Sequence, residues 1–119
     1  MSLLSPGGTN YIGVLSLESA TAWYIERLGL RKVDVELDDG EGCVALGFDK
    51  RERAFVLGPR SKSTDELVPL LYTQNLKKAR DFLSSRGVNV GEIQQDRQST
   101  HYFEMTDLEG NVVEISEEP

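Results

Sequence analysis

The sequence predicts an α+β fold in which tandem β-α-β-β-β units form an open, curled mixed sheet around a cleft. Two features support this prediction: a helical stripe follows a short apolar segment twice, and a glycine and several short strands follow each stripe. The two stripes superpose when Ser16 is placed on Asn75, an offset of 59 residues, and apolar positions then match apolar positions. Because one helix covers only one sheet face, we expect the other face to meet its twin, a second subunit or a ligand.

The first unit is predicted to span residues 9–58. Ser16 is a good N-cap, and the apolar stripe that follows it ends at Gly29, a residue typical of helix C-termini. The Asp39-Gly40 pair predicts a hairpin turn in the strand region that follows. The predicted strands of this unit are Tyr11–Leu15, 30–35, Cys43–Phe48 and Arg53–Gly58.

The second unit is predicted to span residues 67–117 and to repeat this order after a linker, 59–66, that is rich in turn-forming residues. Asn75 is the predicted N-cap of its helix, and Gly87 ends that helix. Its predicted strands are Val68–Thr73, 88–93, Thr100–Thr106 and Val112–Ile115. We therefore interpret 9–118 as a single domain of two repeats, and residues 1–8 as a disordered leader that is in part a cloning remnant.

Charge and cysteine content exclude several classes of function. The net charge of −7 and the lack of a basic run argue against nucleic-acid binding and against an anionic membrane surface. Residues 1–8 have no basic segment and no apolar core long enough for secretion, so we expect no signal peptide, and no apolar stretch of the sequence approaches membrane-spanning length. Because the only cysteine is Cys43, an intramolecular disulfide framework and a multi-cysteine metal site are excluded, and the reducing cytoplasm is the expected compartment.

Two motifs carry a resemblance to a known family. Ser16–Tyr24, followed by Leu28-Gly29-Leu30, resembles the first-helix pattern of the vicinal-oxygen-chelate superfamily, which includes glyoxalase I, extradiol dioxygenases and bleomycin-resistance proteins. Asp107–Glu114 is similar to the family's closing Asp-Pro-x-Gly-Asn-x-x-Glu, with Leu108 in place of the proline. The resemblance covers roughly residues 9–117 and implies the same two-repeat fold.

The resemblance also implies where a metal site would lie. In metal-dependent members each repeat supplies one ligand from its first strand and one from its last. These positions correspond here to Thr9, Val68, a residue within Ala54–Leu57, and Glu114. Valine cannot bind a metal, threonine is a poor ligand without carboxylates beside it, and Ala54–Leu57 holds no carboxylate. Glu114 is therefore the one vestigial candidate. We therefore expect no metal and no other cofactor.

Strand alternation supplies the candidate ligand-binding residues. Tyr11 and Tyr72 occupy equivalent first strands and would give the cleft aromatic walls with polar tips, although both could instead fill the core. Glu114 is expected on the cleft face, where it could contact a cationic ligand, or else on a solvated face. His101 and Phe103 share an alternating set on one strand, and a shift of one register step would turn this set to the opposite face. His101 is either a hydrogen-bonding group or general base in the cleft, or a strand histidine at a surface or interface.

The hypothesis that follows is a protein that binds a small molecule without metal and without catalysis, as bleomycin-resistance-like members do, and so sequesters an antibiotic or a metabolite. The alternative is a metal-dependent lyase, isomerase or dioxygenase of the same superfamily with an atypical site, completed for example by His101 or a partner chain. A third reading is an interaction module whose cleft has collapsed. We also expect a homodimer, because an open half-barrel leaves sheet edges and apolar faces to cover.

Overall fold

Each helix begins at the polar residue that the sequence predicts as its cap. The computed structural model describes residues 3–7, 10–33, 43–49, 52–60 and 68–118. The Ser16 side chain accepts a hydrogen bond from the Ser19 amide, and the Asn75 side chain accepts one from the Lys78 amide, three residues along in both cases. Gly29 adopts a left-handed φ of 75° and donates its amide to the Ile25 carbonyl, which ends the first helix. The helices are α1 (Leu17–Leu28) and α2 (Leu76–Ser85).

The strands form two mixed sheets. The first sheet has the order β2-β5-β4-β3 and belongs to the first repeat. The second sheet has the order β1-β6-β10-β9-β7, with β8 paired to β9, and belongs mainly to the second repeat. The strands are β1 (Leu4–Pro6), β2 (Asn10–Val14), β3 (Arg31–Lys32), β4 (Val44–Gly47), β5 (Phe55–Pro59), β6 (Leu70–Thr73), β7 (Asn89–Val90), β8 (Gln94–Gln95), β9 (His101–Thr106) and β10 (Val112–Glu117).

The predicted α+β class is confirmed, and both repeats pair their strands in the same way. The first strand of each repeat runs parallel to the last strand, so that Tyr11 lies opposite Val56 in one sheet and Leu70 opposite Glu114 in the other. Helix α1 packs on β4 and β5, and α2 packs on β7, β9 and β10. Each helix therefore covers one face of its own sheet, and one core cluster contains buried residues from both repeats.

The two helices also exchange hydrogen bonds through equivalent arginines. Arg27 at the end of α1 donates to the Arg86 carbonyl, and Arg86 donates to the Glu26 carbonyl at 2.7 Å. The two arginines are 59 residues apart, the offset that superposes the repeats in the sequence. This reciprocal contact joins corresponding ends of the two helices.

The β9–β10 turn is organised around one buried carboxylate. Asp107, only 7% exposed, accepts hydrogen bonds from the Tyr24 hydroxyl of α1 at 2.7 Å and from the amides of Glu109 and Asn111. Glu109 in turn accepts hydrogen bonds from the amides of Leu15 and Ser16, just before α1 begins. The family-like closing motif thus fastens the second repeat to the first.

The expectation of a disordered leader is wrong for the described part of residues 1–8. Leu4–Pro6 forms β1, which pairs antiparallel with β6, and Leu4 is 2% exposed in the core. Proline is tolerated here because β1 lies at the edge of its sheet.

Other predicted boundaries shift or fall outside the described residues. Of the predicted strand 88–93, only Asn89 and Val90 pair, and Gln94–Gln95 adds a strand that the sequence pattern does not indicate. The Asp39-Gly40 turn and most of the linker lie outside the described residues, and Pro59 ends β5. Neither described helix is long and apolar enough to cross a membrane.

Candidate functional site

The uncovered face of the second sheet carries a mixed aromatic, apolar and acidic surface. Strand register places Leu70 and Tyr72 of β6 beside Glu114 and Ser116 of β10, and these beside residues of β9. Because the side chains of paired residues share a face, the whole row points away from α2. We call this surface the open face; it consists of Leu70, Tyr72, Tyr102, Glu104, Thr106, Val112, Glu114 and Ser116.

Two carboxylates face each other at the centre of the open face. Glu114 and Glu104 are direct cross-strand partners on β10 and β9. Partial burial, and then the negative charges of Glu104 and Asp96, raise the pKa of Glu114 above its ordinary value. Within the described residues, no hydrogen-bond donor reaches the Glu114 carboxylate. The centre of the open face therefore brings two acidic side chains together, and a positively charged group bound between them would favour the ionised form of Glu114.

Glu114→Gln is expected to stabilise the protein at neutral pH. The raised pKa means that the folded protein favours the protonated carboxyl of Glu114. The contribution of this group to folding stability is therefore fully present below the ordinary pKa of glutamate, and it is lost as the pH rises through the raised pKa of the folded protein. Removing one of two like charges on facing strand positions gains about 0.2–1 kcal/mol. Thermal unfolding at pH 7 and at pH 4 measures this, with a clear gain at pH 7 and a smaller one at pH 4. Glu26→Gln, an exposed change on α1, is the control, and an equal gain at both pH values would contradict the prediction.

The corresponding face of the first sheet is smaller and already packed. Val33, Ala45 and Val56 form a buried cluster against which Tyr11 and Cys43 pack. The Tyr11 hydroxyl donates to the Pro59 carbonyl at 2.8 Å, so the ring lies over the neighbouring strand. A Cβ on Gly58 would stand 2.5 Å from this hydroxyl and 2.8 Å from the Cys43 sulfur, which explains why glycine is needed there.

The donor set that the fold family uses for a metal does not fit this chain. Glu114 and Val56 occupy equivalent positions, each opposite a residue of the first strand of its repeat. Of these two side chains, only that of Glu114 can coordinate a metal ion. Val68 is 52% exposed and carries no donor atom in its side chain, and Thr9 lies outside the described residues. In the described ranges, no three His, Cys, Asp or Glu side chains converge as a metal site would require.

The structure brings only part of the predicted residue set together. Tyr72 and Glu114 lie on the open face, and Tyr11 lies in the first-sheet cluster. Phe103 does not lie on the open face, because it is fully buried in the core below α2. His101 begins β9 and is exposed, and its ring lies 3.2 Å from the Glu117 carboxylate. Hydrogen bonds from the His101 amide and ring lower the pKa of Glu117.

Tyr102, Glu104 and Thr106 are the β9 residues of the open face that the sequence reasoning missed. They alternate with Phe103 and Met105 along β9, so a shift of one register step exchanges the two sets. The signal that could have found them is hydrophobicity: Phe103 and Met105 are the more apolar set, and both are fully buried.

Two grooves of the described chain lie away from the open face. One, of about 500 Å³, lies among β1, the turn after β4 and the start of α2. The other, of about 550 Å³, lies between α1 and the edge formed by β3 and β4. Neither of these two grooves is lined by Tyr11, Tyr72 or Glu114.

Comparison with solved structures identifies the fold. A member of the glyoxalase/bleomycin resistance protein/dioxygenase superfamily from Sphaerobacter thermophilus is 24% identical, with 93% of this chain and 95% of that chain covered and a TM-score of 0.72. TnmS3, an antibiotic binding protein from Streptomyces, is 17% identical, with 93% of both chains covered and a TM-score of 0.69. Lactoylglutathione lyase from Agrobacterium tumefaciens is 16% identical, with 92% and 91% covered and a TM-score of 0.67.

No family model and no curated protein matches the sequence. The solved structures nevertheless agree in architecture over almost the whole chain. The chain therefore has the vicinal-oxygen-chelate fold of the glyoxalase/bleomycin resistance protein/dioxygenase superfamily, as its two motifs predicted.

Proposed function

We propose that this protein binds a small, amphipathic, positively charged molecule on the open face, without a metal and without catalysis. The observation that carries the proposal is the Glu104–Glu114 pair, two facing carboxylates flanked by Tyr72 and Tyr102. A cationic centre would neutralise the pair, and the aromatic rings offer faces on which a flat guest can stack. Some antibiotics and some metabolites are amphipathic cations of this kind, and one structural neighbour is an antibiotic binding protein.

The proposal includes a homodimer in the cytoplasm. Val68 and Val112 leave apolar surface exposed, 52% and 39% respectively, at one end of the open face. A second copy that covers this end would deepen the surface into a pocket of the kind that small ligands require. The one cysteine of the chain is free, as a reducing compartment favours.

A matched ligand panel tests the proposed charge preference. The probes are 1-naphthylmethylammonium, 1-naphthalenemethanol and 1-naphthoate, which share one ring system and differ in charge. At ten times its dissociation constant, the cationic probe is expected to stabilise the native protein by about 1.4 kcal/mol. Thermal unfolding and calorimetric titration measure the effect, and a stronger response to naphthoate than to the ammonium would contradict the proposal.

The pH dependence and one variant locate the site. Because the pKa of Glu114 is raised, the affinity for the cation is expected to fall as the pH is lowered, and the fall begins at a higher pH than for an ordinary glutamate. Glu114→Gln is expected to weaken binding of the ammonium about tenfold, or 1.4 kcal/mol, at pH 7 and to remove most of that dependence. Glu26→Gln, on the exposed side of α1, should leave both the affinity for the ammonium and its pH dependence unchanged. Equal affinities for the two variants would place the cation elsewhere.

A further inference from the structure

A second candidate site lies on the face of the first sheet that packs against α1. It is the groove of about 550 Å³ between α1 and the β3–β4 edge. We call it the α1 groove. Its walls are mainly apolar, and Leu17, Ile25 and Val44 pack at its base against the core. It shares no lining residue with the open face, so it is independent of the function proposed above.

One side chain in this groove is unusual. Thr21 is 7% exposed and lines the groove, and its hydroxyl oxygen is the one buried side-chain polar atom in the described residues that has no hydrogen-bond partner. A buried hydroxyl without a partner is unfavourable, because folding removes it from water and supplies nothing in return. In the observed rotamer the oxygen itself is buried, so a ligand in the groove reaches it only after the side chain rotates. Threonine populates two side-chain rotamers in helices, and this rotation exchanges its methyl and hydroxyl groups.

The charges at the groove narrow the class of guest. Glu18 and Lys32 both line it and both are exposed, so one negative and one positive charge offset each other there. The protein as a whole carries a net charge of −7, which disfavours an anion. The groove therefore presents an apolar surface, balanced charges and one unsatisfied hydroxyl.

We propose that the α1 groove binds a small neutral molecule that is apolar over most of its surface and carries one oxygen, which forms a hydrogen bond with the Thr21 hydroxyl. A carbonyl oxygen suits this role, because the hydroxyl can donate to it. The apolar body of the guest would lie against Leu17, Ala22, Ile25 and Val44.

Amide NMR titration of the full chain with three naphthalenes tests the proposal. 2-Acetylnaphthalene is expected to shift the amides of Thr21, Ile25 and Val44 and to leave those of Tyr72 and Glu114 in place. 2-Ethylnaphthalene, which lacks the oxygen, and 2-naphthoate, which is charged, should bind about three- to tenfold more weakly. Shifts confined to the open face, or equal affinity for the ketone and the hydrocarbon, would overturn the assignment while leaving the proposed cation site untouched.

Variants of the groove provide an independent readout. Thr21→Val should weaken binding of the ketone about three- to tenfold, whereas Thr21→Ser should retain it. The melting temperature of the ligand-free Thr21→Val protein should be equal to or above that of the parent, since no hydrogen bond is lost; a clear decrease would show that the hydroxyl is already bonded and would refute the proposal.

Filling the groove tests the same site without touching the threonine. Ala22→Met places a larger side chain into the groove from an exposed position on α1 and should abolish the ketone-induced shifts. Ser84→Met, an exposed change on α2, is the matched control and should leave them intact. Unaltered ketone binding by the Ala22→Met protein would place the ketone outside the groove and refute the proposal.

Discussion

Asp107→Ala is expected to lower the free energy of unfolding by about 3 kcal/mol or more. The carboxylate accepts four hydrogen bonds, from the Tyr24 hydroxyl, the Asn111 side chain and the amides of Glu109 and Asn111. Alanine would leave the fully buried Tyr24 hydroxyl without this partner and would release the turn that ties the second repeat to α1. Urea unfolding followed by circular dichroism measures the loss.

Three further variants separate the effect of the Asp107 hydrogen bonds from a general effect of losing a carboxylate or a hydroxyl. Asp81→Ala removes an exposed carboxylate from α2 and should change stability by less than about 0.5 kcal/mol. Tyr24→Phe removes one of the four hydrogen bonds and should cost about 1.5–3 kcal/mol, while Tyr102→Phe on the open face should cost little. A loss below about 1 kcal/mol for Asp107→Ala would show that the turn is held by other contacts.

Leu4→Ala is expected to lower the free energy of unfolding by about 2–4 kcal/mol. Its side chain is 2% exposed in the shared core, and β1 is tied to β6 by strand pairing and by a hydrogen bond from the Thr73 hydroxyl to the Leu3 carbonyl at 2.9 Å. Truncation to alanine removes buried apolar contacts and leaves a cavity. Chemical denaturation of purified protein gives the value.

The matched control for this prediction is Leu108→Ala. Leu108 is 53% exposed in the β9–β10 turn, so its truncation should change stability by no more than about 0.5 kcal/mol. Equal effects of the two substitutions would mean that β1 contributes no more to stability than an exposed leucine does. The pair therefore tests directly whether the first strand belongs to the folded domain.

The helices and the repeat could be predicted because local chemistry specifies them. Ser16 and Asn75 cap helices wherever an apolar stripe follows, and Gly29 supplies a left-handed backbone at little cost. The strands β1 and β8 could not, since Leu4–Pro6 contains a proline and Gln94–Gln95 is too short and too polar to alternate. Tertiary pairing with β6 and β9 decides their structure, and a single sequence does not reveal it.

The sequence predicted which strands carry the candidate site, but it predicted only some of the residues that lie there. The closing motif located Glu114, and alternation located Tyr72 on the same face. Alternation cannot say which of two sets faces the helix, so Phe103 was placed on the cleft side and Glu104, the partner of Glu114, was missed. The packing of Tyr11 over Gly58 depends on the neighbouring strand, which lies more than forty residues away in the sequence.

The arginine exchange between the helix ends has a consequence for cooperativity. Arg27 and Arg86 each donate a hydrogen bond to a backbone carbonyl of the opposite repeat. One buried core cluster also contains side chains from both repeats. Neither repeat can lose its structure without removing partners from the other. The two repeats that are visible in the sequence should therefore unfold together as one cooperative unit, and a substitution that destabilises one repeat should destabilise the other as well.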